Sequence, residues 1–272
     1  MYPYERSARG EAPREPRNFA PATSPEPAAP CRRGSRTHSR AVPILLYHLV
    51  GRTPAAAAYP DLYVSRRTFV AEMAYLDRHG FEAVSLADVF AYWRGAPLPA
   101  RPVVLTFDDG FASDVSVVRP ILERLRWTAT LDLVLSHYGH RWGLTHRSLR
   151  KLIRAGWEIA SHSRTHPYLP GLSDRALKAE VAGSRRFLQK HFHIPVSFFA
   201  YPSGGYDARV VAAVRRAGYR GALTTEEGLA RRDEPYRLDR ICVAGSDDAR
   251  SLGEKLARLL PRAHRRTRVS CV

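Results

Sequence analysis

Two adjacent carboxylates close an apolar run in LTFDDG, residues 105–110, where Asp108 and Asp109 repel each other and a strand needs neither. Further along, ASHSRTHP, residues 160–167, supplies His162 and His166 at a spacing of four. That spacing would align two imidazoles on a helix, but Pro167 disfavours helical backbone at His166, so a loop or single turn is expected. Two imidazoles and one carboxylate suit Zn²⁺ or another divalent transition metal, with positions left open for water and substrate. Only one of the two aspartates is needed as a ligand. The other is free to act as a general base, and the ion's charge offsets their mutual repulsion. A third segment, FFAYPSGGYD, residues 198–207, ends an apolar run in Pro202, Ser203, Gly204 and Gly205, a turn able to offer a backbone N–H to an oxyanion. Each segment alone reads as an ordinary turn or a surface histidine pair. Together, each after an expected strand, they read as one site.

The elements that must position these residues alternate along the chain. AVPILLYH suits a buried strand, and SRRTFVAEMAYLDRHG a helix capped by Ser65, with Phe69, Met73 and Leu76 on one face and Gly80 at its end. FEAVS, RPVVLTF, TATLDLVL, WEIAS, VSFFAY and YRGALTT read as further strands. Helices are expected in LADVFAYWRG after Ser85, from Asp114 as cap to about Arg126, in THRSLRKLIRAG, in the stretch capped by Ser173, in YDARVVAAVRRAG and in DDARSLGEKLARLL. Repeated strand–helix alternation predicts an α/β fold: a distorted (β/α) barrel with about seven parallel strands, whose reactive residues come from loops at the strands' C-terminal ends.

The 272 residues are 44% hydrophobic, enough for one large core, and no apolar run approaches the roughly 20 residues of a membrane span. The formal charge of +17 is spread unevenly: residues 1–40 and 261–272 contribute +4 each, leaving +9 for residues 41–260. Residues 1–40, rich in Pro, Ala, Arg and Ser, read as a disordered basic segment, 41–260 as the catalytic domain and 261–272 as a basic tail. Such charge suits anionic envelope polymers through the tails. It makes no case for specific nucleic-acid recognition, since no DNA- or RNA-binding motif accompanies it. Cys31, Cys242 and Cys271 are too scattered for a disulfide framework or a zinc knuckle.

LTFDDG, HSRTHP and FAYPSGGYD, in this order, resemble the first three motifs of the polysaccharide deacetylases, carbohydrate esterase family 4 with its NodB homology domain, over roughly residues 41–245. VPILLYHLV, GYRGALTT and LDRICV resemble the subgroup that includes poly-N-acetylglucosamine deacetylases. The resemblance implies one divalent ion, zinc first with Co²⁺, Ni²⁺ or Fe²⁺ as alternatives, held by Asp109, His162 and His166. It implies Asp108 as the base, the Ser203 N–H as oxyanion donor, and Tyr47, Tyr201 and Pro202 as substrate contacts. The C-terminal Leu-x-His motif of many members has no counterpart here, and Tyr47-His48 at the first strand takes its place, which makes His48 the candidate general acid. Three departures stand out. Ser203 replaces a common aromatic; Ala200 or Tyr201 stands where many relatives carry an arginine on the base; and Asp132 interrupts a strand that is usually apolar.

The implied activity is removal of N-acetyl groups from an N-acetylglucosamine-containing glycan. An esterase or imidase acting on another acyl substrate is the enzymatic alternative. A non-catalytic glycan- or polyanion-binding protein is the other, and the intact set of Asp108, Asp109, His162 and His166 argues against it. The absent apolar signal segment points to the cytoplasm, the family to the envelope or beyond.

Overall fold

The computed structural model describes residues 40–260 apart from residue 56; the expectations for residues 1–39 and 261–272 lie outside the described residues. The first strand, β1 (Ile44–Tyr47), leads through a short pair, β2 (Leu49–Val50) and β3 (Tyr63–Val64), into α1 (Arg66–Arg78). Then come β4 (Glu82–Ala83), α2 (Leu86–Tyr92), β5 (Pro102–Asp109), α3 (Arg119–Leu125), β6 (Thr130–Leu133), α4 (His146–Arg154) and β7 (Glu158–Ser161). The chain continues with α5 (Asp174–Phe192), β8 (Phe198–Ala200), α6 (Ala208–Arg216), β9 (Gly221–Glu227), β10 (Leu238–Cys242) and α7 (Ala249–Leu259). Strands β1, β10, β9, β8, β7, β6 and β5 pair in that order, all parallel, and β1 closes on β5, so seven strands form the expected barrel. The short β4 adds to β5 outside that circuit.

Helix ends follow the caps read in the sequence at Ser65, Ser85 and Ser173, and three further helices are capped in the same way. The side chains of Ser65, Ser85, Thr145, Ser173, Asp207 and Asp248 accept from the first-turn N–H groups of α1, α2, α4, α5, α6 and α7. Asp114 is the exception. It caps nothing; it is buried in a π-helical turn, Asp114–Val118, that runs straight into α3. The other omission is β10, because LDRI carries an acid and a base where an interior strand is expected to be apolar.

Alternation along the strands sorts the core into two. On β5, Val103, Leu105 and Phe107 join the cluster between barrel and helices, while Val104 joins a second cluster with Ile44, Ala160, Phe198, Ala200 and Leu238 inside the barrel. Helix α2 packs Leu86, Val89 and Phe90 onto that inner cluster and so closes the end opposite the acids. Glu158 fixes it there, its carboxylate accepting from Leu86 N at 2.9 Å and Thr130 Oγ1 at 3.2 Å.

Two carboxyls buried outside the site make stability pH-dependent. Burial pushes Glu158 up to about 7. Burial also pushes Glu72 up to about 7 from an ordinary value of 4.5, and one of its oxygens is unpaired while the other accepts from Tyr47 at 3.0 Å. Between these values the folded chain holds protons that the unfolded chain has released, so stability falls as pH rises from about 5 to about 7. The melting temperature should therefore be lower at pH 8 than at pH 5. Glu72→Gln, which cannot ionise yet still accepts from Tyr47, should make that drop smaller. An undiminished drop in the variant would show that Glu72 carries no share.

Candidate active site

Asp108 and Asp109 are the last two residues of β5, and His162 is the first beyond β7, so all three stand at the C-terminal ends of parallel strands. Ligating atoms of Asp109, His162 and His166 all lie within 4.8 Å of one another. His162 Nε2 is 4.0 Å and His166 Nε2 3.8 Å from Asp109 Oδ1, and His162 Nε2 is 3.7 Å from Asp108 Oδ2. His162 Nδ1 donates to the Ala200 carbonyl at 2.8 Å, which fixes the tautomer and leaves Nε2 bare towards the carboxylates. Two imidazoles and one carboxylate aimed at a common point, with His166 and Asp109 partly open to solvent, fit a divalent ion that keeps free positions.

The loops reach this geometry through backbone that glycine adopts more readily. Asp109 has φ 77°, Ser163 68°, His166 60° and Ser203 51°. The Ser163 hydroxyl accepts from His166 N at 3.0 Å and holds the tight turn between the two histidines. Gly110, at φ +87°, sits in backbone that a side chain would strain, and a Cβ there would also lie 2.4 Å from Leu133 Cδ1.

Asp108 is held by a residue that the motifs do not contain. Arg240 on β10, itself 1% exposed, donates from Nη1 to Asp108 Oδ1 at 2.7 Å and from Nη2 to Oδ2 at 2.9 Å. Its remaining donors reach Thr224 O at 2.7 Å, Thr106 Oγ1 at 3.1 Å and Asp132 Oδ2 at 3.4 Å. Burial alone would raise the Asp108 carboxyl, but the charge of Arg240, then His162, the guanidinium hydrogen bonds and His48 overcome it and hold it well below the usual carboxylate range. Asp132 faces Asp108 in register on β6 and moves the other way: burial and the Asp108 charge raise it, so it stays protonated. The acid that interrupts β6 is thus a neutral neighbour of the base.

The other expected residues fall into two groups. His48 directly follows β1, whose Tyr47 pairs in register with Phe107, so His48 stands level with Asp108 on the adjacent strand, half-buried. Ser203 is exposed on the loop after β8, the strand that anchors His162. Tyr47, Tyr201 and Pro202, expected at the substrate, are instead buried. Tyr47 stacks on Phe107 at 5.4 Å and bonds Glu72, and Tyr201 donates to the Tyr236 carbonyl at 3.0 Å. Their rings lie on the helix-facing side of the barrel, because 47 and 201 share the outward phase of their strands.

Residues 95–222 match the family model described as polysaccharide deacetylase. The chain carries a polysaccharide deacetylase domain. The Bacillus subtilis protein YxkH, named for the same family, is 29% identical over 205 residues, 75% of this chain and 71% of its own length. The poly-β-1,6-N-acetyl-D-glucosamine N-deacetylase of Escherichia coli is 23% identical over 233 residues, and the match takes in 68% of this chain but only 34% of that enzyme. A Streptococcus pyogenes deacetylase solved in complex with acetate superposes with a TM-score of 0.76 at 26% identity, over 82% of this chain and 100% of that one. No helix among the described residues of this deacetylase domain is long and apolar enough to cross a membrane.

The two partners of Asp108 should respond differently to substitution. Arg240→Met strands buried carboxyls without a cation and should cost about 3–5 kcal/mol in urea unfolding. Asp132→Asn replaces a neutral acid by a neutral amide and should cost less than about 1 kcal/mol. Equal losses would mean that Asp132 is ionised.

Proposed function

We propose that this protein is a metal-dependent N-deacetylase that hydrolyses acetamide groups of an N-acetylglucosamine-containing glycan. The observation that carries the reading is the convergence of Asp109, His162 and His166 beside a base that another element holds ionised. A divalent ion at that cluster would supply positive charge to acidify water and to polarise the acyl oxygen. Asp108, 3.7 Å from His162 Nε2, is positioned to take the proton of the attacking water as its oxygen bonds to the acetamide carbon. The Ser203 backbone N–H is the candidate donor to the oxyanion that forms. His48, across from Asp108 on β1, is the candidate acid that protonates the departing amine as the C–N bond breaks. Arg240 is a positioning residue: it fixes the plane of the Asp108 carboxylate and keeps it unprotonated at neutral pH.

The glycan class is supported by the poly-N-acetylglucosamine deacetylases among the relatives, and the acyl chemistry by the acetate-bound structural neighbour. The test is amine release from N-acetylglucosamine oligomers by protein stripped with chelator and reloaded with Zn²⁺. Activity should be lost on stripping, return with about one equivalent of metal, and fall at least about 10²-fold in Asp108→Asn. His162→Ala should reduce bound Zn²⁺ as well as activity. Stoichiometric metal with no amine released would direct the same site to a different acyl bond. Failure to bind metal at all would sink the proposal.

A further inference from the structure

Burial leaves few large apolar side chains at the surface of the described residues, and three of the most exposed are aromatic: Tyr59, Trp142 and Tyr168. All three stand on segments that leave the C-terminal ends of barrel strands, the rim on which the metal cluster sits. Single exposed aromatics are ordinary. Two of these, however, are braced and lie on opposite flanks of the cluster.

Trp142 belongs to the turn after β6. Its ring stacks on His140 at 5.5 Å and 19°, and meets His137 edge-on at 4.6 Å and Phe111 at 5.8 Å. The turn is tied to the segment after β5, because Trp142 O accepts from Ala112 N at 2.9 Å. It closes so tightly that a Cβ on Gly143 would lie 2.0 Å from the His137 carbonyl oxygen. The segment that carries His137 is tied back to β5 where Val134 N donates to the Asp109 carbonyl at 3.4 Å, so Trp142 stands on the β5 side of the metal cluster.

Tyr168 stands on the opposite flank, two residues past His166 and 65% exposed. Its ring lies against Gly205, in the turn that carries Ser203: a Cβ on Gly205 would come within 2.6 Å of Tyr168 Cε2. The Cδ2–Cε2 edge of the ring therefore rests on the loop after β8, and much of the rest meets solvent. A pyranose presents a face of C–H groups that packs on such a ring, and rigid aromatics supply contact area at small entropic cost.

Resting on the deacetylase reading above, we infer that Trp142 and Tyr168 are sugar-stacking platforms either side of the metal cluster, and that these two rings hold the sugars that flank the one being deacetylated. A chain laid from one ring to the other crosses Asp109, His162 and His166, and an internal residue presents its acyl group to Asp108. Specificity for chain length is then set at these two positions, independently of the residues that break the bond.

Binding and turnover test this separately. The full chain, stripped of metal so that the probe survives, is titrated by calorimetry with N-acetylglucosamine and with its linear tetramer. The tetramer should bind at least tenfold tighter. Trp142→Ala and Tyr168→Ala should each weaken tetramer binding about tenfold. Trp142→Phe and Tyr168→Phe should retain most of it, which separates loss of a platform from loss of the loop. In metal-reloaded protein the Ala variants should raise KM for the tetramer with kcat changed less than about threefold. No tetramer binding, equal affinity for tetramer and monomer, or Ala variants that bind like the parent would overturn the inference. Length-dependent binding without amine release would instead sink the acetamide reading and leave the platforms standing.

Discussion

A guanidinium sealed inside a barrel must be neutralised where it lies, and Arg240 imposes that condition on everything around it. Its charge is balanced by one carboxylate only. Asp108 takes both terminal nitrogens and stays ionised; Asp132, adjacent in register, stays protonated because a second negative charge there would be unbalanced. Thr106, Asp132 and the Thr224 carbonyl accept from it as well, so each guanidinium nitrogen has a polar partner. The same strand that carries Arg240 completes the circuit between β1 and β9. Closure of the barrel and preparation of the base are thus one event: without β10 the sheet stays open and Asp108 has no cation.

That arrangement explains why the reactive groups lie where they do. The inner face of the barrel is apolar at the end plugged by α2, and polar from Thr106 and Thr130 upward to Asp108 and His162. A low-dielectric floor strengthens every charge interaction above it, which is why Asp108 and Asp132 depart so far from ordinary carboxylates in opposite directions. No arginine stands at Ala200 or Tyr201 in the third motif; the Ala200 carbonyl holds His162, and the cation on the base arrives from β10.

Much of the fold was legible because strand and helix patterns alternated: α1 announced a cap and an apolar stripe, α2 and α5 a cap, and seven strands emerged where about seven were expected. Asp108, Asp109, His162 and His166 were legible because acids and imidazoles at strand ends are costly without a common partner. Arg240 was not, since a charged residue argues locally against a strand. The available signal was paired: an acid inside TATLDLVL and a base inside LDRICV, each too deep in an apolar run to be solvated, must find polar partners inside the barrel, and they find each other beside Asp108. Tyr47 and Tyr201 were misplaced for a simpler reason. A motif gives nearness in sequence, whereas strand phase decides which face of the sheet a ring occupies.

The left-handed backbone at Asp109, Ser163, His166 and Ser203 has a cost that glycine would not incur. At Asp109 and His166 the backbone alone would favour losing the side chain. An evolving population of this chain screened only for heat resistance would thus gain by drifting to glycine at 109 and 166, and would discard two metal-ligand candidates in the process. Durability and chemistry compete here at positions that can be named, and the barrel's surplus of buried contacts is what lets the chemistry prevail.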